Sequence, residues 1–330
     1  MAKTKIEWCD HTWSPITGCT PLSTGCKHCY AQRMAKRLAG RCGYDKEMPF
    51  RITLHRNKML EPLTRSVPTI YFVCSMGDLF HPDIPHVWVY EVFDVMSACR
   101  QHTFLVLTKR PDHIHDVLYG PPDWYLGGGD FLPNVWLGTS VESQEYVHRL
   151  DTLGQLVGWH KFVSLEPLLG PINLSPYLPH ELEEPDRVQV THEMAIDAGM
   201  PQVAGSIIEW GTRIVQCTGL EFVIVGGETG PGARPTHPQW ARDIRDQCMQ
   251  ANVPLFLKSW GNYLPGDQSP HGPLDEKWRV AHNAGRITQH KWPDGSVSHN
   301  VGASIAGHLL DNQEWRQTPF PLQVPGKEAG

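Results

Sequence analysis

Cys19, Cys26 and Cys29 are spaced C-x6-C-x2-C in the segment GCTPLSTGCKHCYA. The tight pair Cys26 and Cys29 can place two thiolates on one metal centre. Gly18, Pro21 and Gly25 make the segment a loop able to wrap that centre. Three local thiolates fall one short of the four that a closed zinc site or a fully protein-ligated [4Fe–4S] cluster requires. Three cysteines on a [4Fe–4S] cluster leave one iron open to a substrate or cofactor. Two plainer readings stand beside this one: a zinc loop completed by His11 or His28, and three ordinary free thiols.

A second group of chemically capable side chains follows a series of short apolar runs. TIYFVCS (69–75) leads to Asp78, HTFLVLT (102–108) to Lys109 and Arg110, and NVWLGTS (134–140) to Glu142. KFVSLE (161–166) ends on Glu166, EFVIVGGE (221–228) ends on Gly226, Gly227 and Glu228, and VPLFLKS (253–259) contains Lys258 and precedes Trp260. Each run is β-branched or aromatic and bounded by turn formers, the pattern of a buried parallel strand. Segments 30–42, 87–100 and 239–252 between them have helical patterns, so strand–helix alternation predicts βαβ units. The expected fold is α/β: a full or partial (β/α) TIM-like barrel, with a further strand before the cysteine loop; an open doubly wound sheet is the alternative. In a barrel the active site lies at the C-terminal ends of the strands. The polar residues, with Ser140, would then ring one mouth, although each alone is as readily a solvated loop residue.

The rest of the sequence narrows the setting. The chain has 330 residues, nine cysteines and a net charge of −6. That length, and an odd cysteine count, argue against a disulfide scaffold. The N-terminal MAKTKIEWCDHTW lacks an apolar h-region, and no apolar run approaches a membrane span. A soluble protein of a reducing compartment, cytoplasmic and with no membrane partner, is expected. Cys74 and Cys99, in apolar surroundings, are expected in the core. Residues 1–261 are expected to form the barrel, interrupted at about 176–219 by an insertion whose HELEEPDRVQ is acidic. Residues 262–330 form a C-terminal extension with a hairpin signal at Asp294-Gly295. Residues 27–65 hold ten Lys/Arg against three acids, leaving −13 for the remainder. Such a basic segment beside the cysteine loop suits a polyanion, or is simply a solvated helix face.

KIEWCDHTWSPITGCTPLSTGCKHCYA resembles a family of bacteriophage and prophage proteins with a three-cysteine motif, itself similar to radical S-adenosylmethionine (SAM) enzymes. The resemblance continues through SMGDLFHPDIP, LTKRP, NVWLGTSVE, EPLLGPI, VIVGGETGPGARP, LKSWG and GHLLDNQEW. It spans most of the chain outside the insertion. Radical SAM enzymes more often show C-x3-C-x2-C, so the six-residue first gap matches the phage family rather than the wider signature.

The resemblance implies a barrel of the radical SAM type, with a [4Fe–4S] cluster on Cys19, Cys26 and Cys29 and SAM on the open iron. One-electron cleavage of SAM would yield a radical that abstracts hydrogen from an unactivated C–H bond. Asp78 is the candidate partner of the SAM ammonium, and Lys109 or Arg110 of its carboxylate. Gly226 and Gly227 would admit the nucleoside, with Glu228 accepting from a hydroxyl, or the GGETG segment is merely a tight turn. Glu166 and Lys258 are candidates for substrate contact or proton movement. The implied partners are a DNA or nucleotide substrate and an electron donor. The implied reaction is a radical isomerisation on hypermodified thymidine in viral DNA, for example moving a glycyl group from nitrogen to carbon attachment, which would help the genome evade host restriction. Two alternatives are a zinc-stabilised nucleic-acid-binding protein without catalysis and a DNA-repair lyase of the spore-photoproduct type.

Overall fold

Seven short strands form one parallel sheet whose order in space is their order in the chain. They are β1 (His11–Trp13), β2 (Ile70–Val73), β3 (Thr103–Thr108), β4 (Val135–Ser140), β5 (His160–Leu165), β6 (Phe222–Gly226) and β7 (Leu255–Ser259). The computed structural model describes residues 4, 6–119, 131–189, 207–217, 219–268 and 287–320, with backbone alone for 181–189 and 207–217. Strands added always on the same side, through crossovers of one hand, curl a sheet into part of a barrel. Of the expected alternatives, the partial (β/α) barrel is the one observed, and the open doubly wound order is excluded by the topology.

Period-two alternation along the strands explains the two cores. One face presents Ile70, Leu105, Trp136, Phe162, Phe222, Ile224 and Phe256 to the barrel interior, where Trp8 and Cys9 join them. The other presents Tyr71, Val73, Phe104, Val106, Leu137, Val163, Val223 and Leu255 to the outer layer. Gly138 on β4 leaves room for the Phe162 ring, since a Cβ there would lie 2.4 Å from it.

The main helices are α1 (Tyr30–Leu38), α2 (His86–Ala98), α3 (Pro111–Tyr119), α4 (His148–Gly154) and α5 (Pro238–Gln250). The segments 87–100 and 239–252 appear nearly as expected. The pattern over 30–42 stops at Leu38, because Gly40, Cys42 and Gly43 all take positive φ. Among the described residues, no helix is long and apolar enough to cross a membrane. Cys74 and Cys99 are buried, as expected of core residues.

Within the expected insertion, His180–Gln189 and Ile207–Cys217 form a two-stranded antiparallel ribbon. The remainder, 190–206, lies outside the described residues, as do 269–286 and 321–330 of the expected extension. The hairpin signal at Asp294-Gly295 falls in the turn between Thr288–Lys291 and Val297–Asn300, which pair antiparallel. The chain then returns to the sheet. Phe256 and Arg316 form an antiparallel bridge, and Phe320 packs edge-on against Trp136 and Phe222 in the barrel interior. Arg316 Nη2 donates to Glu7 Oε2 at 2.9 Å and to the Lys258 carbonyl at 3.3 Å, spanning the unpaired gap between β7 and the segment before β1.

Asp311 fastens this return to α5. It accepts from Arg242 and Arg245, while its N–H donates to Gln268. The Arg242 hydrogen bonds hold its carboxyl well below the usual carboxylate range, against the opposing effect of burial. A depressed folded-state pKa means that this contribution is complete above the unfolded value of about 3.9. It is lost as the pH falls through the lower folded value. Acid titration followed by Trp315 fluorescence, the ring over which Arg245 lies, is expected to show a low-pH transition that Asp311→Asn removes. An identical acid profile in that variant would refute the assignment.

Candidate functional site

The cysteine loop leaves β1 through a constriction that requires glycine. Gly18 has φ +93°, and a Cβ on it would lie 2.1 Å from the Arg51 carbonyl oxygen. Its N–H donates to the Met76 carbonyl, just beyond β2. Cys26 closes a short 3-10 turn, Thr24–Cys26, and Cys29 immediately precedes α1. The Cys29 N–H donates to the Cys26 carbonyl at 3.2 Å, so the x-x spacing is one tight turn.

Residues at the ends of three other strands hold this loop. After β3, Arg110 donates to Cys19 Sγ at 3.4 Å and to the Thr20 carbonyl and hydroxyl at 3.0 Å each. After β4, Glu142 accepts from Ser23 Oγ at 2.5 Å and pairs with Lys109 and, at 3.0 Å, with Arg149. Gly25 permits this approach, since a Cβ there would lie 2.3 Å from Glu142 Oε1. The Tyr146 hydroxyl accepts from the Thr24 N–H at 3.2 Å. After β6, Arg234 donates to the Thr24 carbonyl at 3.1 Å, and Arg33 of α1 donates to the Thr229 carbonyl at 2.8 Å.

The electrostatics differ among the cysteines. Burial pushes the Cys19 thiol up to about 11, with Asp78 adding to the shift and Arg110 opposing it. Burial also opposes ionisation of Cys26, but the Leu22 N–H, the Lys109 charge and the Ser23 donors outweigh it and hold that thiol below its ordinary value. Three half-buried sulfurs, with N–H and O–H donors and two cations around them, form a donor set that suits a thiolate-bound iron–sulfur cluster. Among the described residues no group of three His, Cys, Asp or Glu side chains is already gathered to hold a metal ion.

The other expected site residues fall into three places. Asp78, Lys109 and Arg110 stand at the cysteine loop, each already paired. Asp78 accepts from Arg110 at 2.9 Å, from Thr108 Oγ1 at 2.6 Å and from the Phe80 N–H at 3.1 Å. Glu228 is clamped by Arg234 through Nε at 2.8 Å and Nη2 at 2.5 Å. Both its oxygens are thereby engaged, Oε2 also accepting from the Arg234 N–H at 2.8 Å. Gly226 and Gly227 each lie against atoms of the protein itself. A Cβ on Gly226 would lie 2.6 Å from Glu166 Oε1, and one on Gly227 2.1 Å from the Trp260 carbonyl oxygen. Glu166 and Lys258 pair at 2.8 Å at the ends of β5 and β7, both partly exposed. Burial opposes the Lys258 charge, but Glu166 outweighs it and raises the ammonium pKa above the ordinary value. Of the two histidines weighed as a fourth ligand, His11 Nε2 meets Arg65 at 2.9 Å, and the His28 ring lies where a Cβ on Gly232 would be.

Ser23, Thr20, Arg149, Arg234 and His81 complete the site and were not expected from sequence. Ser23 and Thr20 carried a signal by lying inside the cysteine segment, and His81 and Arg234 by lying inside SMGDLFHPDIP and VIVGGETGPGARP.

Three comparisons bear on this arrangement. The family described as "Protein of unknown function (DUF5131)" matches residues 3–319. No curated protein matches the chain. Among solved structures, the chain is similar to a spore photoproduct lyase variant at 13% identity and TM-score 0.40, covering 91% of this chain and 70% of that one. A second variant of the same lyase, with bound AdoMet and dinucleoside spore photoproduct, is similar at 10% identity and TM-score 0.37, covering 88% and 67%.

Proposed function

The chain belongs to the DUF5131 family, and from that premise we propose that it is a radical SAM enzyme acting on DNA or its nucleotides. The observation that carries this reading is the cysteine loop, bound to the ends of β3, β4 and β6 with donors aimed at two of its sulfurs. Cys19, Cys26 and Cys29 would hold a [4Fe–4S] cluster. When bound, that cluster and SAM supply hydrogen abstraction from an unactivated C–H bond.

The chain's own residues have separable tasks. Glu142 pairs with both Lys109 and Arg149 under the loop and holds Ser23 beside Cys26. The Glu228–Arg234 clamp ties the β6 loop to Thr24. Lys109, whose ammonium is pushed down to about 8 by burial against the pull of Cys26 and Cys29, is our candidate for the SAM carboxylate. Asp78, expected as the ammonium partner, is assigned instead to holding Arg110. Glu166 and Lys258, partly exposed at the strand ends, are candidates to exchange a proton between Nζ or Oε1 and the substrate. The finer reading is rearrangement of an amino acid adduct on a thymine methyl, in the cytoplasm of a phage host.

The deciding experiment is anaerobic reconstitution followed by incubation with SAM, reductant and phage DNA containing modified thymidine. Mass spectrometry reads 5′-deoxyadenosine and altered nucleosides together. Iron, sulfide, 5′-deoxyadenosine and a mass-conserving nucleoside change are expected. Zinc in a colourless protein would replace this reading with a nucleic-acid-binding one, and restoration of ordinary bases from damaged DNA would replace the isomerase with a lyase.

The basic segment supplies a further test. Arg33, Arg51, Arg56 and Arg65 of that segment are engaged within the protein, whereas Lys27, Lys36 and Arg37 are exposed. If these meet phosphates, log affinity for duplex DNA falls linearly with log salt. Replacing Lys36 and Arg37 together by alanine is expected to reduce the slope by about 2, read by fluorescence anisotropy. An unchanged slope would remove α1 from the DNA contact.

A further inference from the structure

Arg110 is buried at the end of β3, and both arms of its guanidinium have fixed partners. Nη1 donates to Asp78 Oδ2 at 2.9 Å and to Cys19 Sγ at 3.4 Å. Nη2 donates to the Thr20 carbonyl and hydroxyl. These partners are themselves held: Asp78 by Thr108 Oγ1 and the Phe80 N–H, and Thr20 Oγ1 by His81 Nε2 at 2.8 Å. A planar guanidinium so engaged cannot re-aim one N–H without breaking several charge-assisted bonds.

The three cysteines are served unequally. Cys26 Sγ accepts from a neutral donor, the Leu22 N–H at 3.4 Å, and lies 3.7 Å from the Ser23 hydroxyl, whose proton goes to Glu142. Among the described residues, no hydrogen bond reaches Cys29 Sγ. Among the described residues, Cys19 alone of the three has a cationic donor on its sulfur.

We propose that Arg110 is a positioning residue for Cys19, held by Asp78 and Thr20 so that a cationic N–H stays on the ligand sulfur and makes the bound cluster easier to reduce. This rests on the radical SAM reading and deepens it. Reduction passes one electron from an external reductant to the cluster; no bond forms or breaks. The added negative charge spreads onto the sulfurs, and hydrogen bonds to those sulfurs are a principal determinant of the potential. A charge-assisted donor is roughly twice as strong as a neutral one, so it favours the reduced state more.

The test is an EPR-monitored redox titration of the reconstituted holoprotein with dithionite, alongside iron and sulfide content per chain. Arg110→Met is expected to lower the midpoint by about 59 mV or more, a tenfold change in the one-electron equilibrium. Arg110→Lys keeps the charge but loses the fork, and is expected to fall between that variant and the wild type. Thr20→Ala, which removes the hydroxyl acceptor of Nη2 and leaves its carbonyl acceptor and every charge in place, is expected to shift the midpoint less and in the same direction. An unchanged midpoint in Arg110→Met with full iron content would overturn the proposal. If Arg110→Met takes up no iron, an unchanged midpoint in fully loaded Thr20→Ala overturns it instead. A wild-type protein that binds no iron or sulfide would sink the radical SAM reading and this inference with it. A wild type that carries the cluster and cleaves SAM, with variants of unaltered potential, would sink this inference alone.

Discussion

Cys26→Ala is expected to fold and yet to retain neither iron nor sulfide after anaerobic reconstitution, with SAM cleavage falling to the reagent background. Cys26 is only half buried, so removing its sulfur takes little from the core. Its Sγ contacts are polar, to the Leu22 N–H and the Ser23 hydroxyl. Its surroundings also favour the thiolate that metal binding requires. With three thiolates for a cluster that already lacks a fourth, losing one leaves too few to hold it. Cys248→Ala is the matched control. That thiol is buried, and burial pushes it up to about 12, so it is an apolar packing group. Its loss is expected to reduce stability while leaving iron content unchanged. Full iron stoichiometry in Cys26→Ala would remove that residue from the ligand set, and the same outcome for Cys19→Ala and Cys29→Ala would end the cluster assignment.

Glu142→Ala is expected to cost about 3–5 kcal/mol of folding stability. The carboxylate is completely buried, and Lys109 and Arg149 share it. Breaking such a group by removing the anion leaves two cations with little access to water, which costs far more than losing an exposed pair. Arg149 retains the Ser140 carbonyl at 2.7 Å, but that dipole does not replace a charge. Glu142→Gln preserves a hydrogen-bonding shape and is expected to lose less. Denaturant unfolding reads both as a lower midpoint at constant slope. A loss below about 1 kcal/mol in the alanine variant would show that water replaces the carboxylate, the ordinary outcome at a surface site.

The strands were legible because each is a short apolar run cut off by turn formers. The expected 134–140 became Val135–Ser140, and 102–108 became Thr103–Thr108. Helices α3 and α4 escaped notice; the seven residues of α4 give little periodicity to read. The polar residues after the strands do lie at strand ends, but their partners could not be read. Nothing in the local sequence says that Glu142 meets Ser23, 119 positions earlier, or that Arg110 meets Thr20, 90 positions earlier. Pairing is set by which strand ends become neighbours when the sheet curls. The glycines of GGETG show the same limit: the residue type signals a close approach, while the approaching group, Glu166 or the Trp260 carbonyl, is a tertiary fact.

The link from Arg316 to Glu7, 309 positions apart, has a consequence for how the protein is made. The cysteine loop leaves the ribosome well before the partners that fix it. Arg234 follows the Thr24 it grips by 210 positions, and the seam across the sheet waits for Arg316 and Phe320. At about 5–20 residues per second, the nascent thiols of Cys19, Cys26 and Cys29 stand without their final supports for tens of seconds. Such contact separation also makes the last closure slow. Metal loading is therefore expected only after Arg234, Arg316 and Phe320 have emerged, and expression in an oxidising host should yield folded protein with damaged thiols rather than unfolded protein.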